Sequence, residues 1–228
     1  TQVVGRDRYI EYVSWLANVA ASCEKILQEI RNLQRSEIQE AGEGFDIKKQ
    51  VGSSTMAHKK NPIKSENASG LARIVRSMII PTYENALLWH ERDLANSSSE
   101  RFTLSHGSAL CEDVINKTRQ VLTNMWVDAD RCLENIKSQR GLVMAEKVMI
   151  ELVEHGIPRD EAHEILRSAS FEAVDKKIEL IDVCSRTPEI AAAFSAEELE
   201  AMFDPMNHIG VSGEIVDEAV NLARLAVQ

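Results

Sequence analysis

Residues 52–62 read GSSTMAHKKNP and bring small hydroxylated side chains, two lysines and an asparagine together in one short segment. The segment leads into a stretch with helical periodicity after Pro62, so backbone N–H groups of a helix start should lie beside Lys59 and Lys60. Such a cluster favours an anion such as a carboxylate, and Asn61 adds an amide donor. A serine beside this positive charge ionises more readily than a serine in water, which makes it a candidate base. On composition alone, a solvated basic surface loop is the simpler interpretation.

A second set of polar residues, Arg92, Ser97 and Arg101, follows at spacings of five and four. The fork of an arginine matches two phosphate oxygens at once, and a serine hydroxyl can donate to a third oxygen. The same pattern would arise from a serine at a helix end between two surface arginines. The spacing alone therefore leaves open whether this set binds a phosphate.

Histidine and cysteine spacing gives no sign of a metal site. The six histidines include no H-x-x-x-H pair, and we assign no catalytic role to His58 inside the 52–62 segment. The four cysteines are widely separated and form no C-x-x-C pair. We therefore expect reduced, partly buried thiols, as in a cytoplasmic protein.

The composition narrows the classes of protein to which the chain can belong. With 26 Lys and Arg against 36 Asp and Glu, its formal net charge is −10, so it lacks a general attraction to nucleic acid or to an anionic membrane surface. No apolar run approaches the roughly 18 residues needed to span a bilayer. Proline and glycine are scarce (5 and 10 residues) and the aromatic fraction is 5%, which favours long helices over a β-sandwich.

Long helices must position the two polar sets, and apolar periodicity predicts where they run. Steps of three and four mark a long first helix, whereas residues 36–54 are polar and indicate a loop with short strands. A second helix should begin after Pro62 and be interrupted at Pro81, and a polar linker over 93–99 should precede a third. The three apolar stripes comprise Tyr9, Val13, Leu16, Ala20, Cys23, Leu27 and Ile30; Leu71, Ile74, Val75, Met78 and Ile79; and Leu110, Val114, Val121 and Met125.

The remainder of the chain changes to shorter helices. We place a domain boundary near Ser138, so that residues 1–138 form a helical-bundle domain and residues 139–228 form a small C-terminal helical domain. The sequence thus predicts an all-α protein in which a bundle of long helices precedes a smaller helical domain. The predicted shorter helices cover residues 142–154, 160–177 and 215–225, together with a segment that starts at a capping-box pattern of Ser195 and Glu198.

The order of residues in the 52–62 segment resembles the signature loop of the fumarase/aspartase superfamily, which reads Gly-Ser-Ser-x-Met-Pro-x-Lys-x-Asn. Only its proline differs, being Ala57 here, and this change removes a ring that would stiffen the loop but leaves the reacting groups in place. The strings KKNPIKSENASGLAR and WHERDLANSSSER resemble the adenylosuccinate lyase family, as do TQVVGRDRY at the start and FSAEELEAMFDP near the end. The resemblance covers nearly the whole chain.

The resemblance implies a homotetrameric helical enzyme of the cytoplasm that uses no metal or organic cofactor. Its reaction would be the elimination of fumarate from adenylosuccinate and from the related succinyl-carboxamide ribotide of purine biosynthesis. Each active site would combine residues from three subunits. Members of this family extend further at the N-terminus and supply a general-acid histidine there, so we expect the 228-residue chain alone to be inactive.

The same resemblance assigns roles in proton transfer and carboxylate binding. Ser53 is the implied catalytic base, and Lys59 and Asn61 would bind the succinyl carboxylate and stabilise the carbanion. Glu66 would orient the site, and Ser54 would be a neighbouring substrate contact. These five residues lie within one stretch of fourteen positions.

The resemblance also assigns Arg92, Ser97 and Arg101 to the phosphate of AMP and makes Gln2 a further substrate contact. Two alternatives stay open. The 3-carboxymuconate cycloisomerase branch of the superfamily has a similar loop, although a phosphate-binding set favours a nucleotide substrate. A non-catalytic helical scaffold is the second alternative, and the intact lysine and serine of the signature loop argue against it.

Overall fold

Helices account for nearly all of the regular structure in this protein. The computed structural model describes residues 4–44, 60–90 and 92–227. Within those ranges the only extended segments are two strands of two residues each. The all-α prediction is confirmed.

The chain divides into two compact units, Thr1–Cys132 and Leu133–Gln228. The division falls inside helix α6 (Ala129–Ser138), and the boundary predicted near Ser138 coincides with the end of this helix. The other described elements of the first unit are α1 (Asp7–Leu33), β1 (Ala41–Gly42), α2 (Ile63–Ser77), α3 (Ile79–Glu84), α4 (Ala95–Thr103), α5 (Ser105–Asn124) and β2 (Trp126–Val127).

The 27 residues of α1 form the axis of the first unit. Val13, Leu16, Ala20, Leu27 and Ile30 are all buried. Steps of three and four keep these side chains on one side of a helix with 3.6 residues per turn. The stripe predicted for this helix is confirmed at these positions.

Helix α2 runs antiparallel to α1. In the middle of α1, Glu24 forms an ion pair with Arg76 at 2.5 Å, and one or two turns further on Arg31 donates to the Ser69 hydroxyl at 3.5 Å. Residue numbers therefore rise along α1 while they fall along α2. The start of α2 consequently lies beside the end of α1.

Helix α5 runs parallel to α1. The Tyr12 and Ser108 hydroxyls lie 2.8 Å apart, and the Cys111 thiol donates to the Leu16 carbonyl at 3.5 Å. Numbers rise together along both helices. The end of α5 therefore lies beside the end of α1, close to the start of α2.

The buried face of α2 differs from the predicted stripe. Ile74 is 49% exposed, so the prediction that it belongs to the core is wrong. Small side chains on this face let the axes of neighbouring helices approach closely, and the larger side chains turn outward. The buried residues of α2 are Ser65, Ala68, Ser69, Ala72 and Val75.

The helix that begins after Pro62 is interrupted as predicted. Helix α2 ends at Ser77 and α3 begins at Ile79, because Pro81 has no N–H to donate to the Ser77 carbonyl and its ring crowds that turn. The prediction of a linker over 93–99 is wrong over its last five residues, since α4 begins at Ala95.

The two strands form an antiparallel pair at the end of α1. Ala41 lies opposite Val127, and Gly42 lies opposite Trp126. This pair joins the segment that follows α1 to the segment that follows α5. It therefore holds the chain in place just before residues 45–59.

The second unit has a hydrophobic core of its own, in which Val148, Leu152, Leu180 and Ile190 have no exposed area. The predicted capping box is confirmed, because the Ser195 hydroxyl accepts from the Glu198 N–H and the Glu198 carboxylate accepts from the Ser195 N–H. All described residues of the last helix are exposed. The described elements are α7 (Ala145–Glu154), α8 (Arg159–Lys176), α9 (Leu180–Cys184), α10 (Pro188–Ala193), α11 (Ala196–Phe203) and α12 (Ser212–Val227), with short 3₁₀ turns at Leu142–Met144 and Pro205–His208.

Candidate active site

The end of the 52–62 segment lies at the start of α2, beside the end of α1. Asn61 is half-buried, and its carbonyl accepts from the Ile63 N–H at 2.9 Å. Glu66 lies in the first turn of α2 with an exposed side chain, and its N–H donates to the Pro62 carbonyl at 2.9 Å. The structure thus places Asn61 and Glu66 close together at one end of the bundle.

A buried carboxylate occupies the start of α2. Glu43 is 4% exposed and accepts from the N–H of Lys64 at 3.2 Å, from the N–H of Ser65 at 3.0 Å and from the Ser65 hydroxyl at 2.9 Å. Pro62, at the position before the helix, offers no side-chain acceptor of its own. The acceptors that cap this helix therefore come from a distant part of the chain.

This arrangement corrects the expectation that backbone donors at the start of α2 bind an external anion. The N–H groups of Ile63 and Glu66 donate to nearby carbonyls, and those of Lys64 and Ser65 donate to Glu43. The helix dipole is complemented by a carboxylate of the protein itself. Donors for a substrate carboxylate must therefore come from side chains or from residues before Lys60.

Two further residues at this site, Glu43 and Gln34, are not among the residues predicted from the sequence; Gln34 directly follows α1. The Gln34 side chain accepts from the Glu43 N–H and donates to the Lys60 carbonyl, each at 2.9 Å. Neither residue belongs to an apolar stripe or to the signature loop. Only the folded chain brings them to the start of α2, so local spacing carries no signal of their role.

The second polar set lies at the other end of α1, around the start of α4. Ser97 and Arg101 are four residues apart on α4 and so lie on one face of that helix, with Ser97 half-buried and Arg101 exposed. Arg92 is exposed in the turn that precedes the helix. The structure thus brings these three residues to one short stretch of surface.

An aspartate organises that turn. The Asp93 carboxylate accepts from the N–H of Ala95 at 2.9 Å and from the N–H of Trp89 at 3.1 Å. These two backbone hydrogen bonds, that of Ala95 first, hold the pKa of Asp93 below its ordinary value. The ionised carboxylate therefore fixes the path of the chain between Arg92 and α4.

Helix α4 is tied to the beginning of α1 by an ion pair. Arg6 Nε donates to Glu100 Oε1 at 2.8 Å, and the two side chains are only 10% and 16% exposed. Glu100 lies next to Arg101, and Arg6 lies one residue before α1. The second polar set therefore lies near the N-terminal end of α1.

The two polar sets are separated by the length of α1. Lys60 is bound beside Gln34 at one end, and Glu100 is bound to Arg6 at the other. A helix of 27 residues is about 40 Å long at 1.5 Å per residue. Within one chain, Asn61 and Arg101 therefore do not face a common cleft.

Several candidate residues lie outside the part of the chain that the structure describes. They are Gln2, Ser53, Ser54 and Lys59. Among the described residues, no group of histidine, cysteine, aspartate and glutamate side chains is arranged to hold a metal ion. In the same ranges, no helix combines the length and the apolar character needed to cross a membrane.

Comparison with known proteins gives two matching family models. The model described as the adenylosuccinate lyase C-terminus matches residues 141–219, and a model described as lyase matches residues 1–77. The adenylosuccinate lyases of Archaeoglobus fulgidus and Methanothermobacter thermautotrophicus are each 42% identical over 96% of this chain and 49% of their own length. The chain thus spans about half the length of the curated relatives it matches.

Solved structures support the same relationship. The 3-carboxy-cis,cis-muconate lactonizing enzyme from Pseudomonas putida matches with a TM-score of 0.84 and 29% identity over 95% of this chain and 47% of that protein. A fumarate lyase from Mesorhizobium sp. BNC1 matches with the same values. The arrangement of helices described above is therefore shared with these enzymes.

Proposed function

Because this chain belongs to the adenylosuccinate lyase family, we propose that the whole protein eliminates fumarate from adenylosuccinate to give AMP, and from the succinyl-carboxamide ribotide of purine biosynthesis. The identity of 42% over nearly the whole chain carries this proposal. The positions of Asn61, directly before Pro62, and of Glu66, in the first turn of α2, also support it. Both side chains can then act on a substrate held by the signature loop.

The proposed reaction is a β-elimination. Ser53 removes a proton from the carbon next to a carboxylate, and the electron pair of that C–H bond forms the double bond of fumarate as the bond from the neighbouring succinyl carbon to the purine-side nitrogen breaks. The electron pair of the broken C–N bond leaves with that nitrogen, which takes a proton from a general acid of the whole protein. Lys59 and Asn61 bind the carboxylate on which negative charge accumulates, so they lower the energy of the carbanion more than that of the substrate. Ser54 contacts the substrate beside the base, and Glu66 orients the site.

The second polar set binds the phosphate of the nucleotide in this proposal. Arg92 and Arg101 offer planar donor pairs to phosphate oxygens, and Ser97 donates a third hydrogen bond. The exposure of both arginines and the position of Ser97 on the face of Arg101 suit an anion that arrives from outside the chain. Gln2, which lies five residues before α1 in the sequence, supplies a further substrate contact.

We infer a homotetramer whose active sites are shared between subunits. A nucleotide cannot span the roughly 40 Å of α1, so the loop end of one chain and the phosphate set of another must meet to form one site. Large apolar side chains on the first unit support association, because they stay largely exposed among the described residues of one chain. They include Trp15, Ile74, Ile80, Tyr83 and Phe102, which are 49–70% exposed.

We place this activity in the cytoplasm. The four cysteines are free thiols, and Cys111 and Cys184 are buried. Burial raises the pKa of the Cys184 thiol to about 12, so this residue stays protonated and unreactive at neutral pH. Protonated, buried thiols suit a protein of a reducing compartment.

The activity is tested by ultraviolet absorbance after adenylosuccinate is added to the purified whole gene product, with the 228-residue chain assayed beside it. Turnover by the gene product supports the proposal. Turnover of a carboxymuconate instead would assign the protein to the cycloisomerase alternative. Turnover of neither substrate would favour the alternative of a non-catalytic helical scaffold. Activity of the 228-residue chain by itself would contradict the expectation that this chain alone is inactive.

The shared site is tested by mixing two impaired variants, Ser53→Ala and Arg101→Ala, at a substrate concentration well below the KM of the Arg101→Ala variant. In a mixed oligomer, one kind of site receives both an intact loop and an intact phosphate set, so part of the activity should return. Light scattering should report four subunits, and subunit exchange is checked with a differently tagged copy. Exchange without any return of activity would contradict the sharing of residues between chains.

A further inference from the structure

One amide side chain joins the two flanks of residues 45–59. Gln34 Oε1 accepts from the backbone N–H of Glu43 at 2.9 Å, and Gln34 Nε2 donates to the backbone carbonyl of Lys60 at 2.9 Å. Glu43 lies before the segment and Lys60 lies after it. A single residue at the end of α1 thus fixes both flanks relative to each other.

The hydrogen bonds of Gln34 and Glu43 form one network, called the tie below, which continues into α2 through the buried carboxylate of Glu43. Both oxygens of Glu43 accept from the first turn of this helix, and Ser65, which supplies two of the three donors, has no exposed area. Buried hydrogen bonds with a charged acceptor are stronger than neutral ones and fix geometry more tightly. The start of α2, with Asn61 and Glu66, is therefore held against the end of α1.

Two glycines let the chain come close enough for this tie. A Cβ atom at Gly42 would lie 2.6 Å from Cζ2 of Trp126 and 2.9 Å from Cδ of Gln34. A Cβ atom at Gly44 would lie 2.1 Å from the carbonyl oxygen of Asn124. Neither position can carry a side chain without a shift of its neighbours. The backbone at Gly42 therefore packs closely against the Gln34 side chain.

We propose that Gln34 and Glu43 are positioning residues for the elimination, which rests on the function proposed above. Neither residue needs to touch the substrate. They hold Asn61 in the geometry at which it binds the carboxylate, and Glu66 in the geometry at which it orients the site. Misplacement of such groups by about 1 Å is enough to lower a rate by roughly 100-fold.

The test compares Gln34→Ala and Glu43→Gln with two matched controls in the whole gene product. Gln28→Ala removes a glutamine of the same helix that accepts from Arg31. Glu24→Gln removes a carboxylate that also joins α1 to α2 but contacts Arg73 and Arg76 instead. We expect kcat to fall about 10- to 100-fold in the two test variants, with KM within about threefold of the wild-type value. The controls should keep kcat within about threefold.

Hydrogen exchange provides a readout that does not depend on turnover. The amides of Lys64 and Ser65 should exchange faster in Gln34→Ala and Glu43→Gln than in either control. The variant Gln34→Glu keeps the acceptor for the Glu43 N–H but loses the donor to the Lys60 carbonyl. It should retain protection of Lys64 and Ser65 while kcat falls, and it guards against the case in which a test variant fails to fold.

The outcomes separate this inference from the proposed function. An active wild-type enzyme in which Gln34→Ala and Glu43→Gln match the controls in kcat would overturn the positioning role alone. Faster exchange without any loss of kcat would overturn it as well. A wild-type protein that does not act on adenylosuccinate would overturn the proposed function and with it the catalytic consequence of the tie.

Discussion

The two ends of α1 hold their candidate residues in different ways. At the end of α1 beside residues 45–59 (the loop end), the buried Glu43 and the half-buried Gln34 form a hydrogen-bond network with the backbone of Lys60 and Ser65. The other end of α1, beside the proposed phosphate-binding set, is called the phosphate end. Here Arg92 and Arg101 are exposed, and Asp93 fixes the turn before α4 at the surface. Two side chains at that end, Asn96 and Thr103, are buried with polar atoms that find no hydrogen-bond partner among the described residues.

Under the proposed function, this difference suits two ends that serve different parts of one reaction. Proton transfer and carbanion stabilisation depend on geometry, which a network of hydrogen bonds around a buried carboxylate preserves. Recognition of a phosphate depends on charge and on long side chains that adapt to the anion. Changes at the loop end should therefore act on kcat, and changes at the phosphate end should act on KM.

The largest effect is expected for Ser53→Ala, which removes the proposed base at the loop end. Loss of a general base lowers kcat about 10²- to 10⁴-fold. Steady-state kinetics measure the change, with Ser77→Ala, an exposed serine of α2, as the matched control. A kcat close to that of the control would mean that another group takes the proton.

A smaller effect is expected for Arg101→Ala at the phosphate end. Loss of a charge-assisted hydrogen bond costs about 1.5–3 kcal/mol, so KM should rise about 10- to 100-fold while kcat changes little. Arg119→Ala, an exposed arginine on α5, is the matched control. An unchanged KM would contradict the proposal that Arg101 binds the phosphate. It would also contradict the expected contrast, in which changes at the loop end act on kcat and changes at the phosphate end act on KM.

A third prediction concerns stability at the phosphate end. Thr103 is 2% exposed and its hydroxyl has no partner among the described residues, so Thr103→Val replaces an unsatisfied polar atom with a methyl group of similar shape. The free energy of unfolding should rise by about 1 kcal/mol in urea denaturation. In the control Thr118→Val, a hydroxyl that donates to the Val114 carbonyl at 2.8 Å is lost, so no such gain is expected. A loss of stability in Thr103→Val would show that this hydroxyl is paired in the assembled protein.

The smallest effect concerns the turn fixed by Asp93. Its pKa lies below the ordinary value of 3.8, so its contribution to stability is present above pH 3.8 and disappears as the pH falls through the lowered pKa. We expect Asp93→Asn to have a lower Tm than the wild type at pH 7, and the difference to shrink in more acidic buffers below pH 3.8. A Tm difference that stays constant down to low pH would contradict the assignment to the ionised carboxylate.

The sequence predicted those features that depend on neighbours along the chain. The stripe of α1, the interruption at Pro81 and the capping box of Ser195 all follow from spacing or from the covalent structure of one residue. The bundle itself followed from long helices with apolar stripes. Spacing alone was sufficient because each of these features involves residues within a few turns of one another.

Features that depend on distant contacts could not be predicted in this way. Ile74 has the right spacing for a core residue, but α2 buries small side chains because its neighbours approach closely. The occupied donors at the start of α2 depend on Glu43, which lies 22 residues from Ser65 along the chain. The distance between the two polar sets depends on the direction of α2 relative to α1, which a single sequence does not specify.

The small residues on the buried face of α2 restrict how this helix can evolve. Ala68 and Ala72 have no exposed area, and they share clusters with Leu27 and Ala20 of α1 respectively. A larger residue at either position leaves no room for the existing neighbour, so it is tolerated only together with a smaller residue on α1. Substitutions at these positions should therefore accumulate together with compensating substitutions on α1. Outward positions such as Ile74 need no such compensation within the chain.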